Sequence, residues 1–323
     1  MNIDDIRAAD SCLDGHVRRT PLLSSSFLDE IAGKRVIVKP ECLQHTGSFK
    51  FRGAWNAVSK LSAAQRKQGV IAFSSGNHAQ GVAMAAKAIG APSVIVMPSD
   101  APRQKIDNTR ALGGEVILYD RATEDRDKIG ARLANDRKLT LIKPFDNPDV
   151  IAGQGTVGLE IAEQARAMGI ADARVLVPCG GGGLTSGIAL ALEADAPDFH
   201  VHPVEPEGFD DVARSLVSGQ IERNPRLSGS ICDAIITPSP GELTFPILKR
   251  LCGPGLSVPD DDCLRAMTAA FNHLKIVVEP GGAVALAAAL YHADQIDGDS
   301  VIVVVSGGNV DSPVFADALT RFP

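Results

Sequence analysis

Apolar positions along the chain fall into two kinds of segment: short runs rich in β-branched residues and longer Ala-rich stretches with helical spacing. The short runs are almost wholly apolar, as expected for strands buried on both faces of a sheet. Predicted strands occupy 35–41, 69–75, 93–99, 115–120, 139–145, 173–180, 200–206 and 300–308. Predicted helices occupy 78–90, 103–112, 123–137, 150–168, 184–195, 261–274 and 281–293. This alternation predicts an α/β fold with parallel sheets covered by helices.

Composition and charge argue against several classes of function. The 323 residues are 45% hydrophobic and 22% charged, which is ordinary for a globular protein. A net charge of −7 and an aromatic content of 4% disfavour a nucleic-acid partner. No apolar run approaches about 18 residues, so we expect no membrane span, and the polar N-terminus does not resemble a secretory signal. The six scattered cysteines lack a CxxC pair, which favours reduced thiols, a cytoplasmic location and no zinc.

Four consecutive glycines, Gly180 to Gly183, join a predicted strand to a predicted helix in VLVPCGGGGLTSG. Glycines allow backbone N–H groups to converge, and a helix start adds unpaired N–H groups and a positive dipole end. We interpret this run as a phosphate-binding loop, with a tight structural turn as the alternative. It lacks the Gly-Lys-Ser/Thr ending of a Walker loop and the GxGxxG spacing. GQGTVG at 153–158 has that spacing without a clear preceding strand, so we interpret it as a packing turn.

Lys50 lies between two phenylalanines in the stretch GSFKFRG. An apolar setting lowers the pKa of an amine and makes it a usable nucleophile and base. A phosphate-binding loop together with such a lysine suggests pyridoxal 5′-phosphate, whose aldehyde forms a Schiff base with a lysine. A solvated surface lysine is the alternative, and Lys50 alone does not exclude it.

Seven motifs along the chain carry a family resemblance. They occur in the order ECLQHTGSFKFRGAWNAV, SSGNHAQGVAMAAK, PFDNPDVIAGQGT, PCGGGGLTSG, PVEPE, VVEPGGAVALAA and VVSGGNVD. The chain resembles, over essentially its whole length, the fold-type II pyridoxal-phosphate enzymes, specifically the serine/threonine dehydratase and serine racemase family. The resemblance implies two open, mostly parallel twisted sheets covered by helices, as in the β subunit of tryptophan synthase. It also implies a large cofactor-binding domain (1–68 plus 147–323), a small mobile substrate domain (69–146) and a homodimer.

The resemblance also implies roles for residues within these motifs. Lys50 would carry the cofactor, and Ser75 would be a second proton donor on the opposite face of the substrate. Ser306 would bond the pyridine nitrogen and leave it largely neutral, which favours prompt loss of a β-substituent. The full cofactor-binding set is Phe49, Lys50, Asn77, Gly180, Gly181, Gly182, Gly183, Leu184, Glu279 and Ser306. The residues expected to hold the substrate α-carboxylate are Ser74, Ser75, Asn77 and His78.

A divalent-metal site is a further feature of the family. In PVEPEGFDD, Glu205, the backbone carbonyl of Phe209 and Asp211 match its spacing. Oxygen ligands favour Mg²⁺ or Ca²⁺ over zinc, and helix capping by the two acidic residues is the alternative. His200 and His202 share one face of a predicted strand, but no third ligand is evident, so we interpret them as structural.

The predicted reaction is β-elimination of water from a β-hydroxy amino acid, followed by loss of ammonia to give a 2-oxo acid. Lys50 would take the α-proton, and the cofactor phosphate is the family's proposed acid for the departing hydroxyl. The expected small-molecule substrates are L-threonine and L-serine. Arg126 aligns with an arginine of serine racemases that meets the second carboxylate of diacids, which adds threo-3-hydroxyaspartate; a solvated charge is the alternative. A serine racemase with side dehydratase activity and a non-catalytic cofactor-binding protein are the alternative functions.

Overall fold

A computed structural model describes residues 1–74, 76–101, 103–120 and 123–323, without the side chains of Gln104, Arg126 and Asp127. The strands within these ranges are β1 (Leu23–Ser24), β2 (Arg35–Pro40), β3 (Val70–Phe73), β4 (Ser93–Pro98), β5 (Glu115–Tyr119), β6 (Thr140–Leu141), β7 (Ala173–Pro178), β8 (Phe199–Pro206), β9 (Leu256–Val258) and β10 (Ser300–Val305). They form a six-stranded sheet of order β1-β2-β10-β7-β8-β9 and a four-stranded sheet of order β5-β4-β3-β6. All neighbouring strands are parallel except β1 and β2, which confirms the predicted fold class.

Helices cover both sheets. They are α1 (Ile3–Leu13), α2 (Ser26–Ala32), α3 (Lys50–Ser59), α4 (Ala63–Gln68), α5 (Asn77–Ala88), α6 (Arg103–Ala111), α7 (Arg126–Arg137), α8 (Pro148–Ala167), α9 (Gly183–Asp195), α10 (Asp211–Ser218), α11 (Thr244–Leu251), α12 (Asp260–Leu274), α13 (Pro280–Tyr291) and α14 (Ser312–Arg321). Within the described ranges, no helix combines the length and the hydrophobicity needed to cross a membrane.

The core of the larger sheet explains why its strands appear as continuous apolar runs. Val301 to Val305 of β10 are fully buried, because helices cover both faces of this strand. Helix α13 packs beneath the sheet and is buried from Pro280 to Leu290, and its alanines allow the helix axis to approach the strands closely. This burial fixes the end of β10 and the start of α13, which both lie at the candidate site.

Each predicted strand overlaps an observed strand, and the largest shortening is at 139–145. The run 139–145 contributes only two residues to β6, and Ile142 to Asn147 form a connection that leads into α8. Asn147 caps α8 by accepting the N–H of Val150 at 3.1 Å, and Pro148 occupies the first helical position. This connection therefore leaves the smaller sheet and leads into α8, which packs on the larger sheet.

The predicted packing turn at 153–158 is wrong in its conformation, because the whole motif lies inside α8. Its glycines serve close helix packing. A Cβ on Gly153 would lie 2.6 Å from the carbonyl oxygen of Arg52, and one on Gly155 would lie 2.9 Å from that of Gly187. A Cβ on Gly187 would in turn lie 2.6 Å from the carbonyl oxygen of Ile151. Helices α3, α8 and α9 therefore touch backbone to backbone.

Helix α3, which the sequence pattern did not predict, shares a core with the smaller sheet. Phe51, Ala54 and Val58 pack in one apolar cluster with Val70 of β3 and Val82 of α5. The four strands of the smaller sheet all lie between residues 70 and 141. The domain limits at 69 and 146, and the mobility of this unit, stay predictions.

Candidate active site

Lys50 lies at the carboxyl end of β10, where ligands sit in open α/β sheets. The backbone N–H of Phe49 donates to the carbonyl of Ser306 at 3.1 Å, and Ser48 forms an antiparallel bridge with Gly307. These contacts seat the first residue of α3 against the end of the strand. The motifs GSFK and SGGN are thereby brought together across more than 250 residues.

The amine of Lys50 is directed into the site. Its Nζ donates to the carbonyl of Pro144 at 3.0 Å and lies 5.0 Å from the ring centroid of Phe49. Removal from water lowers the pKa of Lys50 to about 8, although the Glu279 carboxylate acts in the opposite direction. A large part of this amine is therefore unprotonated in mildly alkaline solution, as a nucleophile and a proton acceptor requires.

The glycine loop lies beside this lysine, and aromatic packing leaves no room for side chains in it. Phe145 follows Pro144, and its ring atoms would lie 2.3–2.4 Å from a Cβ on Gly181. A Cβ on Gly180 would lie 2.8 Å from the carbonyl oxygen of Ile235, and Gly182 has a φ of +88°. The loop leads directly into α9, so unpaired backbone N–H groups of the helix start face the site.

A chain of hydrogen bonds fixes Asn77 at the start of α5. Asn77 Nδ2 donates to Glu279 Oε1 at 2.5 Å, and Asn77 Oδ1 accepts from Asn309 Nδ2 at 2.7 Å. The same Asn309 nitrogen donates to the carbonyl of Thr46 at 2.7 Å. Burial raises the pKa of Glu279 to about 7, while the Asn77 hydrogen bond limits that increase. Asn309 lies within the VVSGGNVD motif, but sequence reasoning gave it no role.

His78 is buried and neutral. Its Nε2 donates to the carbonyl of Ile142 at 2.8 Å, so Nδ1 is the unprotonated nitrogen. Burial lowers the pKa of His78 to about 3, and the positive charge of Lys50 contributes to that decrease. The imidazole is thus directed toward Ile142, and the backbone N–H of His78 belongs to the start of α5, where an anion is favoured. Nearby, Ser74 Oγ accepts the N–H of Gly76 at 3.2 Å.

Two side chains with predicted roles lie outside the described part of the chain. Ser75 is not among the described residues. Helix α7 begins at Arg126, but the side chain of Arg126 is not described either. The roles of both residues stay predictions.

Arg52, two residues after Lys50, belongs to a fully buried ionic network that sequence reasoning missed. Its guanidinium makes paired hydrogen bonds of 2.8 and 2.8 Å to Glu41 and of 2.6 and 3.1 Å to Glu160. Lys39 Nζ also donates to Glu160, at 2.5 Å, and to the carbonyl of Thr20, at 2.6 Å. All four charged residues are at most 4% exposed. The network ties the lysine-bearing helix to β2 and α8.

The candidate metal residues form a buried acidic pair. Glu205 accepts backbone N–H groups of Val212 at 2.9 Å and Ala213 at 2.8 Å, so it caps the start of α10. Asp211 Oδ1 accepts from Asn224 at 2.5 Å, while its buried Oδ2 has no partner among the described residues. Burial and the neighbouring Asp211 raise the pKa of Glu205 well above its ordinary value. No group of three or more His, Cys, Asp or Glu in the described ranges is arranged to hold a metal.

The site residues fit pyridoxal phosphate on their chemistry. The partly neutral amine of Lys50 suits an aldehyde, and the glycine loop at the start of α9 suits a phosphate. Any Cβ at Gly181 or Gly183 would collide with neighbouring atoms. Only glycine at these positions lets the loop backbone pack this closely against its neighbours. The residues gathered at one edge of the larger sheet thus have the chemistry that an aldehyde and a phosphate require.

Comparison with known proteins identifies the family. Residues 13–308 match the family model described as "Pyridoxal-phosphate dependent enzyme". The chain belongs to this family. It is a pyridoxal-phosphate dependent enzyme, which confirms the predicted family and cofactor.

Relatives of this enzyme carry two kinds of activity. An L-threo-3-hydroxyaspartate ammonia-lyase of Pseudomonas sp is 46% identical over 98% of this chain and 97% of that protein. A serine racemase of Schizosaccharomyces pombe is 41% identical over 98% of this chain and 97% of that protein. Among solved structures, a threonine deaminase of "T.th." has a TM-score of 0.91 at 43% identity, covering 96% of this chain and 99% of that one. The enzyme is therefore similar both to ammonia-lyases and to a serine racemase, the two activities that its motifs suggest.

Proposed function

We propose that the enzyme is an ammonia-lyase that eliminates water from a β-hydroxy amino acid and releases ammonia and a 2-oxo acid. The candidate substrates are L-threo-3-hydroxyaspartate, L-threonine and L-serine. The observation that carries the proposal is the amine of Lys50, with a pKa of about 8, beside the glycine loop. Ammonia-lyases among the relatives support the reaction class.

The proposal assigns each site residue a role in binding or in proton transfer. Pyridoxal phosphate, when bound, supplies the electron sink for the substrate Cα. Lys50 would hold the cofactor aldehyde, and its amine, once displaced there by the substrate amine, would accept the α-proton. The backbone N–H groups at the start of α5, with Ser74 and Asn77, bind the substrate α-carboxylate. Glu279 and Asn309 hold the Asn77 amide in place, and Ser306, which directly follows β10, would bond the cofactor nitrogen.

A substrate panel scored for ammonia release tests this function. We expect release from at least one of L-serine, L-threonine and the hydroxyaspartate diastereomers, with equal amounts of ammonia and 2-oxo acid. Lys50→Ala should abolish release, while Lys143→Ala, at an exposed lysine next to Pro144, should retain it. Turnover that survives in Lys50→Ala would overturn the proposed role of the amine.

A serine racemase is the second candidate, because a serine racemase is 41% identical over nearly the whole chain. Ser75 would then donate a proton to the face of the substrate opposite Lys50. Chiral analysis of serine after incubation, beside the 2-oxo acid assay, separates the two activities. Accumulation of D-serine without ammonia release would replace the lyase proposal by the racemase.

We also propose that Arg126 selects diacid substrates by pairing with their β-carboxylate. Arg126→Ala should then lose hydroxyaspartate turnover selectively and keep turnover of threonine or serine. Lys128→Ala is the matched control, since Lys128 is an exposed cation on the same helix α7. Equal losses on all substrates would contradict this role.

A Mg²⁺ or Ca²⁺ site at Glu205, the Phe209 carbonyl and Asp211 is a further proposal. Its support is the buried Asp211 Oδ2 that lacks a partner among the described residues, close to a second buried carboxylate. Thermal denaturation with and without each cation tests it. The cation should raise the midpoint for the natural sequence and leave that of Asp211→Asn unchanged.

Three further expectations complete the proposal: a homodimer and movement of 69–146 as a substrate domain, which the family resemblance implies, and a cytoplasmic location, which the scattered cysteines favour. Sedimentation analysis tests the dimer. Hydrogen exchange with and without substrate tests the movement, which should increase protection within 69–146 when the substrate binds.

A further inference from the structure

Gln154 presents an unusual buried amide within α8. The residue is 1% exposed, and neither Oε1 nor Nε2 has a hydrogen-bond partner among the described residues. An unpaired buried donor and acceptor are costly, and buried amides in proteins are normally paired with protein, water or ligand. A methionine or leucine would fill a similar volume without that cost. The amide at this position therefore indicates a partner that binds there.

The amide is directed at the start of α9. A Cβ on Gly183, the first residue of α9, would lie 2.8 Å from Gln154 Oε1. A Cβ on Gly53 of α3 would lie 3.1 Å from Gln154 Cγ, so the stem of the side chain passes between α3 and α9. The terminal amide torsion is roughly two-fold, and a half-turn brings Nε2 to the position of Oε1. An N–H donor can thus face the anion-binding end of the helix.

We propose that Gln154 is an additional phosphate-binding residue, whose amide N–H donates to the cofactor phosphate at the start of α9. This inference rests on the proposed placement of the phosphate at the glycine loop. The loop itself offers backbone N–H groups, and Gln154 adds a side-chain donor from a different helix. Oε1 is then left for a P–O–H group or for a water bound with the phosphate.

Affinity for two forms of the cofactor tests the inference. The full chain, freed of cofactor, is titrated with pyridoxal 5′-phosphate and with pyridoxal, which lacks the phosphate. Gln154→Met should weaken binding of the phosphorylated form by about tenfold to a hundredfold, the usual effect of one hydrogen bond to a charged group. Binding of pyridoxal should stay within about twofold, since this hydrogen bond reaches only the phosphate.

Two further variants test the effect of charge at position 154 and provide a control elsewhere on α8. Gln154→Glu keeps the shape but places a carboxylate against the phosphate, so it should weaken phosphate-dependent binding more than Gln154→Met does. Gln164→Met is the control: Gln164 lies ten residues along α8, about 15 Å away, and bonds to the carbonyl of Thr20 and to Lys39. Its loss should lower stability without changing the ratio of the two affinities.

The outcomes separate the inference from the placement on which it rests. If the natural sequence binds both forms equally, the phosphate placement is wrong and the inference fails with it. If the natural sequence discriminates and Gln154→Met keeps the full ratio, the placement stands and the role of Gln154 is overturned. If the variants do not fold, a crystal structure of the holoenzyme decides: Nε2 within about 3.2 Å of a phosphate oxygen supports the role, and a longer distance excludes it.

Discussion

Replacement of Arg52 by methionine should destabilise the protein strongly, because it leaves two carboxylates facing each other in the core. The guanidinium makes four charge-assisted hydrogen bonds, two to Glu41 and two to Glu160. Without it, Lys39 is the remaining cation for both acids within the network, so one negative charge is uncompensated. Removing one partner of a buried ion pair costs about 3–5 kcal/mol. We expect a loss of that size in the free energy of unfolding of Arg52→Met.

Urea unfolding followed by tryptophan fluorescence measures this loss. Trp55 is the only tryptophan in the sequence, and it lies on α3 three residues after Arg52, where its ring stacks on His16 at a centroid distance of 4.1 Å. The probe therefore reports on the helix that carries Lys50. Cofactor binding should weaken in parallel, because the ionic network orients the first turn of that helix.

Matched variants identify the charge as the cause. Arg52→Met combined with Glu41→Gln restores a neutral network, so the pair should recover about 1–3 kcal/mol relative to additive losses. Arg52→Lys keeps the charge but loses the paired geometry, and its stability should fall between those of the natural sequence and Arg52→Met. The reasoning is refuted if Arg52→Met costs less than about 1 kcal/mol, or if the losses of the two single variants simply add in the double variant.

Three other predictions concern the site itself. Because the pKa of Lys50 is lowered to about 8, about 9% of the amine is neutral at pH 7, whereas an ordinary lysine is only about 0.03% neutral at that pH. The rate of cofactor attachment should therefore rise about tenfold per pH unit up to pH 8 and then level off, which stopped-flow absorbance measures. A rate that still climbs steeply above pH 9 would contradict this. Gly307→Ala places a Cβ 2.0 Å from Glu279 Oε1 and 3.0 Å from Asn77 Nδ2, so it should disrupt the hydrogen bond between these side chains and reduce kcat. The loss should be far larger than in Gly298→Ala, whose Cβ would meet nothing within 4 Å. Similar kcat losses in the two variants would count against the prediction. The pKa of the buried Glu279 is raised from 4.5 to about 7, so the carboxyl binds its proton more tightly in the folded state; its contribution to stability is fully present below pH 4.5 and is lost as the pH rises through 7. Glu279→Gln should remove that decline from urea unfolding measured between about pH 5 and 8, and an unchanged profile would be evidence against it.

The sequence pattern predicted the parts of the fold that local chemistry determines. Strands such as β4 and β10 are buried on both faces, so they appear as uninterrupted apolar runs. The pattern missed α3, because Arg52 and Gly53 do not resemble part of an amphipathic helix. Their burial depends on the carboxylates of Glu41 and Glu160 and on close contact with α8, which no local window shows.

In the candidate site, too, some residues could be proposed from the local sequence and others could not. Lys50 and the glycine loop could be proposed because their residue types match a chemical task, and Asn77 could be proposed from the family resemblance of its motif. Asn309 and Gln154 could not be proposed from the sequence, because the roles we assign to them depend on the residues that surround them in the folded chain. Asn309 lies 232 residues from the Asn77 amide it meets, and Gln154 stands out only because it is buried without a partner among the described residues. Pairing across such separations is a property of the folded chain.

The glycines at the crossing of α3, α8 and α9 have a consequence for protein engineering. Gly153, Gly155 and Gly187 each face a backbone carbonyl at a distance that no larger residue can accept. A substitution there would push apart the helices that carry Lys50 and the glycine loop, so both parts of the proposed cofactor site would be displaced together. Mutant libraries intended to change substrate preference should therefore leave this crossing intact.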